Sequence, residues 1–570
     1  MVDADNGFNA LSRKAMLWTV RHRWANGSRL VFNCYRHAAQ LVMRRPGGAA
    51  EIILSREGVT QGDPLSMVAY GVALVPLAML VREKVPGLVF AWYADDACFA
   101  GPLRLIGPAT ELVLKYGPAR GYFMAPAKSI VVVREGLPEQ ALAPLHSFPF
   151  RRASGERYLG GFVGDALRKA RWLRDQTEDW AHGVRKLAQV ARRFPQTAYA
   201  GLTKSLQSEW QYLQRVVPDL AEVFDDVEAA LATDFLPALL NCSVEQATAL
   251  RAQAALPVKF GGLGLPDPRT TGEALHEASL ASTEPLTSAL APGSAAFDLH
   301  MYLVNAKNAR KHARKLRVGA AKTAAEVLAT GLGQADARRF RRGAECGAWI
   351  TVMPRRMNGT VLTRDEFRDA IRLRYGLAPV GLPVCCDGCG ARFTVEHALA
   401  CKVGGQVGAR HNDLKWEWNS LCGKALTPAA VSDEPILKTS RDVRGATSPT
   451  AEEHDSPSAP QAAAAAATSG AQRRRGRACG EPGCGRADLR GDVGVHGFWA
   501  KGKGTIFDVR VTDTDQPSQR GTAPDKVLAR HEREKKEKYN EACLERQKTF
   551  TPLVFSIDGM MGKEAQAAVK

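Results

Sequence analysis

The sequence is short of negative charge. Lys and Arg number 77 whereas Asp and Glu number 59, which leaves a formal net charge of +18. A chain with this excess of cations favours polyanionic partners, with nucleic acid the first expectation and an anionic membrane surface the second. Its 570 residues are enough for several domains and a sizeable core.

The sequence also lacks a secretion signal, and its cysteines are few. The N-terminus has no charged segment followed by an apolar one, so we do not expect a secreted protein. The 12 cysteines are sparse through much of the chain and cluster near residues 385–401 and 479–484. This pattern favours metal binding in a reducing compartment over disulfides.

Long apolar runs are lacking, with one exception. The 17 residues Leu65–Val81 carry no charge, but this length is short for crossing a bilayer, and Gly71 and Pro76 interrupt it. Asp63 and Pro64 are typical of a helix start, as N-cap and first helical residue. The stretch therefore predicts a buried core helix kinked near Pro76 rather than a membrane span.

Two adjacent carboxylates interrupt an apolar segment in WYADDACFA, residues 92–100. The pattern predicts a tight β-hairpin with Asp95 and Asp96 at its tip. Like charges this close repel, and a hard divalent cation would remove the repulsion because it takes carboxylate oxygens as ligands. A solvated turn is the alternative, since Asp–Asp is ordinary in turns.

Several ordered motifs in the first 264 residues carry a resemblance to a known family. They are DADNGFN at 3–9, REGVTQGDPLS at 56–66, YADD at 93–96, AKS at 127–129, YLG at 158–160 and GGLG at 261–264. In this order they resemble the reverse transcriptases of non-long-terminal-repeat (non-LTR) retrotransposons. In that family an aspartate precedes a phenylalanine by five residues in the first catalytic segment, which selects Asp3 over Asp5.

The resemblance implies an RNA-directed DNA polymerase, a nucleotidyltransferase in which two Mg²⁺ or Mn²⁺ ions support in-line phosphoryl transfer. It implies that Asp3 and Asp95 hold these ions and that Asp96 supports their placement. The fold it implies is a right-hand polymerase palm with an antiparallel sheet, followed by a helical thumb.

By the same resemblance, four further residues would bind the nucleotide or the template. Phe8 would exclude a 2′-hydroxyl, and a core aromatic is the alternative. Gln61 and Gly62 would lie against the incoming nucleotide and template, with the glycine allowing close backbone approach. Lys128 would neutralise or protonate the leaving phosphate, and an ordinary surface lysine is the alternative.

The family's fingers subdomain precedes the first catalytic segment. Because only Met1 and Val2 precede Asp3, we expect this sequence to lack the fingers and part of the nucleotide-binding site. Polymerase activity is the family-level expectation, and a truncated, non-catalytic remnant that still binds nucleic acid is the alternative.

A second site is predicted by the cluster Cys386-x2-Cys389-x7-His397-x3-Cys401. Three thiolates and one imidazole at these spacings suit tetrahedral zinc, with the first pair on a knuckle and the second on a helix. Cys385 could replace Cys386, His411 is a spare ligand, and free cysteines in a loop are the alternative. The segment also resembles the zinc module that follows the thumb in some retrotransposon proteins.

The C-terminal residues resemble the PD-(D/E)xK restriction-like endonucleases of some site-specific retrotransposons. Asp488 precedes a predicted strand that carries Asp508, and two such carboxylates could bind Mg²⁺ while a lysine activates water. The family pattern places this lysine where the chain has Arg510, a poor proton acceptor. Lys535 or Lys538 on the next helix could replace it, and we take Lys538 as the candidate. Surface acids on an ordinary strand are the alternative.

We therefore expect an α+β protein in five parts. They are a partial palm (1–150), a helical thumb and connection (151–345), a zinc-binding module (346–430), a disordered linker (431–478) and an α/β PD-(D/E)xK-like domain (479–570). The linker is predicted from its Ala, Ser, Pro and Thr content. Cys479 and Cys484 could form a further metal pair.

The predicted function is that of a retrotransposon polymerase which nicks target DNA and reverse-transcribes RNA from the nick. A DNA endonuclease with a non-catalytic polymerase scaffold is a third interpretation. The expected partners are template RNA, primer or target DNA and deoxynucleoside triphosphates, and no membrane. DNA targeting and the basic run RRRGR at 473–477 favour a nuclear location.

Overall fold

The computed structural model describes residues 1–290, 296–403, 406–439 and 488–570. It is a mixed structure of helices and small sheets, which agrees with the α+β class. The chain divides into a first unit (residues 1–257, 262–328 and 353–368) and a second unit (residues 258–261, 329–352 and 369–570). The RRRGR run, Cys479, Cys484 and most of the predicted linker lie outside the described residues.

Helices and two-stranded sheets alternate in the first 164 residues. The helices are α1 (Gly7–Ala10), α2 (Arg13–Arg23), α3 (Ala25–Tyr35), α4 (Ser66–Lys84) and α5 (Leu103–Tyr116). The strands are β1 (Ala39–Arg44), β2 (Ala50–Ser55), β3 (Val89–Tyr93), β4 (Asp96–Ala100), β5 (Ile130–Val132), β6 (Arg151–Ala153), β7 (Gly155–Tyr158) and β8 (Gly161–Gly164).

These strands do not form the single antiparallel sheet that we expected. β1–β2, β3–β4 and β7–β8 are antiparallel hairpins, whereas β5 and β6 pair in parallel. Residues 1–5 make only isolated bridges, from Val2 to Ala97 and from Ala4 to Met124. A segment this short contributes too few ladder hydrogen bonds to be a strand of its own, so the sheet is divided into small pieces.

Helix α4 is the apolar stretch that the sequence predicts as a core helix. It begins at Ser66 rather than at Pro64, and the Asp63 carboxylate accepts the Leu65 N–H at 2.9 Å. By length and composition α4 could cross a membrane, and the bent helical segment 222–255 passes the same test as a pair. The apolar side chains that α4 contributes to the core of the first unit are Ala69, Tyr70, Ala73, Leu74, Leu77 and Val81.

The described residues from 166 to 345 are mostly helical, as predicted. The helices are α6 (Ala166–Ala191), α7 (Pro195–Gly201), α8 (Gln207–Val216), α9 (Asp225–Ala229), α10 (Leu236–Leu240), α11 (Val244–Ala255), α12 (Pro268–Ser288), α13 (Leu299–Gly331) and α14 (Gln334–Glu345). Helix α6 begins where the Asp165 carboxylate accepts the N–H groups of Leu167 and Arg168, a typical N-cap. Trp180 of α6 stacks on Phe224 in the core.

The rest of the chain builds a four-stranded mixed sheet and its helices. Its elements are α15 (Arg364–Arg374), α16 (Val395–Ala400), α17 (Gln406–Ala425), β9 (Val431–Asp433), β10 (Ile436–Lys438), β11 (Leu489–Arg490), β12 (Val493–His496), β13 (Gly504–Thr512), α18 (Pro524–Glu545), β14 (Thr549–Ser556) and α19 (Lys563–Val569). The strand order is β14-β13-β12-β9, and α18 connects the parallel pair β13 and β14.

Two of the predicted boundaries need correction at this sheet. Strands β9 and β10 fall inside the stretch predicted as linker, where they pair with β12 and β11. Helix α17 falls inside the predicted zinc module, yet its Trp418 packs on Phe507 of β13. Both segments fold with the C-terminal sheet because they cover apolar surface of its strands.

Buried Arg13 ties the REGVTQGDPLS segment to α2. Its guanidinium donates hydrogen bonds to the carbonyl oxygens of Gly58 (2.8 Å), His37 (3.1 Å) and Ser55 (2.9 Å). Its own N–H donates to the Glu57 carboxylate at 2.8 Å. One side chain therefore holds the backbone at three positions around the predicted nucleotide-binding segment.

We predict that Arg13→Lys lowers the free energy of unfolding by roughly 2–4 kcal/mol. A lysine cannot reach all three carbonyls, so buried acceptors lose their partners. Chemical denaturation followed by circular dichroism measures the change. Lys14→Arg at the exposed neighbouring position is the control, expected to shift stability by less than about 0.5 kcal/mol. Equal effects of the two substitutions would contradict the role of Arg13.

Candidate carboxylate and metal sites

The β3–β4 hairpin places two carboxylates at its turn, as predicted. Tyr93 pairs with Asp96, so Ala94 and Asp95 are the two turn residues. Ala94 has a φ of 56°, a left-handed conformation that costs a residue with a side chain about 1–2 kcal/mol. The surrounding structure must supply this energy, which is typical of functional turns.

The first catalytic segment lies beside this turn. The N–H of Val2 donates to the Ala97 carbonyl at 2.7 Å, and this antiparallel bridge sets Asp3 opposite Asp96. On the other side, the buried Ser129 hydroxyl accepts the Asp3 N–H at 3.1 Å. Ser129 belongs to the AKS motif, so this motif holds the backbone of the predicted metal ligand.

Helix α1 comes into direct contact with Asp95. A Cβ added at Gly7 would lie 2.6 Å from the Asp95 Cβ and 2.9 Å from the Tyr70 hydroxyl. Cβ atoms do not approach this closely, so only glycine fits at this position. The structure thus brings Asp3, Asp95 and Asp96 together.

These three carboxylates are not neutralised within the described residues. Partial burial raises the pKa of Asp96, and the negative charges of Asp95 and Asp3 raise it further. The nearby Lys128 forms its ion pair with Asp5 at 2.5 Å. No described Lys, Arg or His forms an ion pair with Asp3, Asp95 or Asp96, so the cluster is a place where a cation would be stabilised.

The other residues predicted to bind the nucleotide differ in their exposure. Phe8 is half-buried and stacks on Tyr70 at a centroid distance of 5.0 Å. Gln61 is exposed, and Gly62 has a φ of 89° with no atom within 4 Å of an added Cβ. An added side chain at Gly62 would be strained by the backbone and not by its neighbours.

Sequence reasoning missed the two buried tyrosines that surround the carboxylates. The Tyr122 hydroxyl donates to the Asp95 carbonyl at 2.9 Å. Burial raises the pKa of Tyr70 and of Tyr122, and the charge of Asp95 acts in the same direction on both. Their positions inside apolar segments made them look like core residues, and only the register of α4 and of the segment after α5 reveals their hydroxyls beside Asp95.

The predicted Cys/His cluster is assembled in the second unit. The Sγ atoms of Cys386 and Cys401 are 3.8 Å apart, as are those of Cys389 and Cys401, and Cys389 Sγ lies 3.3 Å from His397 Nε2. Tetrahedral zinc with Zn–S bonds of about 2.3 Å requires sulfur atoms about 3.8 Å apart. The four side chains therefore form a cluster that can hold a metal ion such as zinc.

The local fold explains this arrangement. His397 lies on α16, whose N-cap Thr394 accepts the His397 N–H, and Cys401 ends the same helix. Hydrogen bonds from the backbone of Cys389, followed by one from His397, lower the pKa of the Cys386 thiol to about 6. Cys386 is therefore largely a thiolate at neutral pH, which is the form that binds metal.

Two alternative ligands from the sequence are not part of the cluster. Cys385 is exposed and its backbone bridges to Arg392. His411 lies on α17 with its Nε2 3.2 Å from the Asp492 carboxylate. The helical turn of α17 directs His411 towards β12, so it faces the sheet and not the Cys/His cluster.

A third group of titratable side chains lies on the sheet of the second unit. Asp508 of β13 is 4% exposed and forms an ion pair with Lys535 of α18. The Asp492 carboxylate accepts the Val509 N–H at 2.6 Å and contacts His411 on its other oxygen. Burial opposes ionisation of Asp492, but the hydrogen bonds with His411 and from the Val509 N–H, followed by the charges of His411 and Lys535, hold the pKa of Asp492 below its usual value.

Two residues of the predicted endonuclease site, Asp488 and Lys538, have partners other than Asp508. Asp488 pairs with Arg490 at 3.3 Å, and Asp492 is the carboxylate beside Asp508. The amine of Lys538 lies over the Tyr539 ring, and Lys535 is the lysine that reaches Asp508. Positions 535 and 538 are about 60° apart around the helix, so both lie towards the same side, but Lys538 donates to the Tyr539 hydroxyl at 3.1 Å and only Lys535 pairs with Asp508.

Arg510, at the position where the family pattern has lysine, pairs with Glu534 at 2.7 Å. Its charge is thus satisfied by α18 rather than by the buried acids of the sheet. Asp492, Asp508, Lys535 and His411 together form a group of two acids, one lysine and one histidine.

Comparisons with known proteins assign no family. No protein-family model matches the chain, and a search of curated proteins finds no match. Functional inference therefore depends on the motifs and on the geometry of these three groups of side chains.

We predict that the purified chain binds one zinc ion at the Cys386, Cys389, His397 and Cys401 cluster. Cys401→Ser should lose this metal and expose the module to proteolysis, because metal binding contributes to folding free energy. Cys385→Ser is the matched control and should retain one zinc ion. Metal content measured by mass spectrometry checks both, and zinc retention by Cys401→Ser would show that the ligand set is wrong.

Proposed function

We propose that this chain is an RNA-directed DNA polymerase of the non-LTR retrotransposon type. The single observation that carries the proposal is the convergence of Asp3 with the Asp95–Asp96 turn, in the order and spacing of the motifs that resemble that family. The alternative of a solvated turn does not account for the position of the half-buried Asp3 opposite Asp96.

The carboxylate cluster has the donor chemistry for divalent cations, but it is open. Among the described residues, only the Cys/His cluster has all its ligand atoms within 4.8 Å of one another. Mg²⁺ is usually held by one or two carboxylates together with substrate phosphates, so an open set of acids is compatible with it. Mg²⁺ or Mn²⁺ bound there would stabilise the charge that develops on the attacking and leaving oxygens.

The chain's own residues would position the reactants around these acids. Ser129 and the Val2–Ala97 bridge hold Asp3, and Gly7 allows α1 to lie against Asp95. Phe8 and the exposed turn at Gln61–Gly62 would contact the nucleotide and template. Deoxynucleoside triphosphates, template RNA and a DNA primer are the proposed substrates, and a nuclear location is part of the same proposal.

Primer extension on an RNA template with Mg²⁺ tests the polymerase proposal. We expect incorporation by the unmodified chain and a loss of at least about 100-fold in Asp3→Asn or Asp95→Asn, because each would hold a metal ion. Asp5→Asn, which removes an exposed carboxylate paired with Lys128, is the control and should lose less than about threefold. Absence of extension by the unmodified chain, with nucleic-acid binding intact, would favour the non-catalytic remnant.

A second function, DNA endonuclease, is favoured by a separate observation in the second unit. Asp508 and Lys535 form a nearly buried acid–lysine pair, and Asp492 is aimed at the same place by the Val509 N–H and His411. Burying such charges is expensive, so their retention favours a functional role over surface acids on an ordinary strand. Lys535 would hold the water or phosphate, and the two acids would hold Mg²⁺.

Nicking of supercoiled plasmid DNA with Mg²⁺ or Mn²⁺ tests this second function. Asp508→Asn and Lys535→Ala should each abolish nicking, since one removes a metal ligand and the other the nearby cation. Asp488→Asn is the matched control and should nick normally, because Asp488 pairs with Arg490. A loss of nicking in Asp488→Asn with none in Asp508→Asn would return the assignment to the residue first predicted from the sequence.

A further inference from the structure

Helix α13 carries an unusual concentration of unpaired positive charge. Between Asp298 and Glu326 the sequence contains no acidic residue. Seven cations lie in this interval and all are exposed, namely Lys307, Arg310, Lys311, Arg314, Lys315, Arg317 and Lys322. Of these only Lys322 has an ion-pair partner among the described residues, Glu326 at 3.8 Å.

The seven cations share one side of the helix. At 3.6 residues per turn they fall within an arc of about 160°, and they extend along about 22 Å of the helix axis. We call this surface the basic face. Its arrangement is not that of a usual solvated helix, where acids at i+4 positions interleave with the bases.

The middle of α13 also lacks the packing that normally stabilises a helix. No residue from Lys307 to Ala324 is buried, whereas Ala306 on one side and Ala325 and Ala329 on the other are. The N-terminal end is held to α12 by a hydrogen bond from Asn305 to the Ala281 carbonyl at 2.9 Å. The helix is therefore fixed at its ends and presents its middle to solvent.

We propose that the basic face of α13 binds the phosphate backbone of double-stranded nucleic acid. Each strand of a duplex carries one negative charge per about 3.4 Å of the axis, so seven cations along about 22 Å of helix match the phosphate density of one strand. This inference deepens the proposed function, because it names the surface that holds the duplex on which that function depends.

The composition of the rest of α13 favours a duplex over other polyanions as its partner. The side opposite the basic face has Leu316 as its one large apolar residue between Lys307 and Lys322, whereas a helix that lies on a membrane needs a broad apolar face. No aromatic residue lies in this interval, whereas single-strand binding uses aromatic rings for base stacking. Backbone phosphates are the remaining target for such a surface.

Binding measured without catalysis tests this proposal. Fluorescence anisotropy with a 20-base-pair DNA duplex and an RNA–DNA hybrid, without Mg²⁺, Mn²⁺ or nucleotides and over a series of salt concentrations, gives the slope of log affinity against log salt. In Lys311→Gln/Arg314→Gln/Lys315→Gln we expect this slope to fall by roughly 2.7, since each phosphate contact contributes about 0.9. Glutamine favours helix about as well as lysine and arginine, so the variant should fold.

A charge-matched variant provides the control. Arg45→Gln/Lys84→Gln/Arg364→Gln removes three exposed cations that already pair with Glu51, Glu83 and Asp365, and its slope should change by less than about 1. Equal slopes for the α13 variant and the unmodified chain would overturn the proposal. So would tighter binding to phosphatidylserine vesicles or to single-stranded RNA than to either duplex. Because binding is measured without nucleotides or added Mg²⁺, a duplex-binding chain that fails to extend primers would contradict the polymerase proposal alone.

Discussion

The antiparallel bridge between Val2 and Ala97 is the contact on which the first site depends. It places Asp3 opposite Asp96 and therefore converts two motifs that are about 90 residues apart into one group of carboxylates. The pairing is short, so other groups must hold it. Ser129 binds the Asp3 N–H on one side, and Gly7 lets α1 approach Asp95 on the other. Without this bridge, the Asp95–Asp96 turn would not have Asp3 beside it.

The two groups of acids, one in each unit, offset the repulsion between like charges in different ways. Asp508 is almost fully buried and is paired with Lys535, while Asp492 has His411 and a backbone N–H as partners. Asp3, Asp95 and Asp96 are more exposed and have no cationic partner among the described residues, so the pKa of Asp96 is raised. Solvent can support partly exposed charges, whereas buried ones need a partner. The first group is thus open to an incoming cation, and the second already contains one.

How well the sequence predicts each site depends on how far apart its residues lie along the chain. The β3–β4 turn and the clustering of Cys386, Cys389, His397 and Cys401 were predicted correctly because their spacing is local and a hairpin or a knuckle with a helix fixes the geometry. The convergence of Asp3 with Asp95 came from ordered motifs and not from periodicity.

The errors have a common cause in tertiary contacts. Asp488 and Asp492 are both close to β12 in sequence, and only the hydrogen bond from Val509 shows which carboxylate faces Asp508. Lys535 and Lys538 are on the same helix, and only the partner of each amine shows which of them reaches Asp508. His411 was a spare zinc ligand in the sequence-based prediction, and α17, which packs on the sheet, places it beside Asp492.

The positive charge of the chain has two different uses, and the structure separates them. Arg13 is buried against carbonyl oxygens, and Arg342 is buried between Asp515 and Asp558, so these cations hold the fold together. Substituting them would act through stability. Among the described residues, six of the seven cations on the basic face of α13 have no ion-pair partner, and their mutual repulsion opposes the helix that carries them. Such repulsion is relieved when an anion binds across the whole face, and a phosphate backbone supplies the required spacing and length. Net charge alone therefore predicts a polyanionic partner, but only the pairing of each cation shows where that partner would bind.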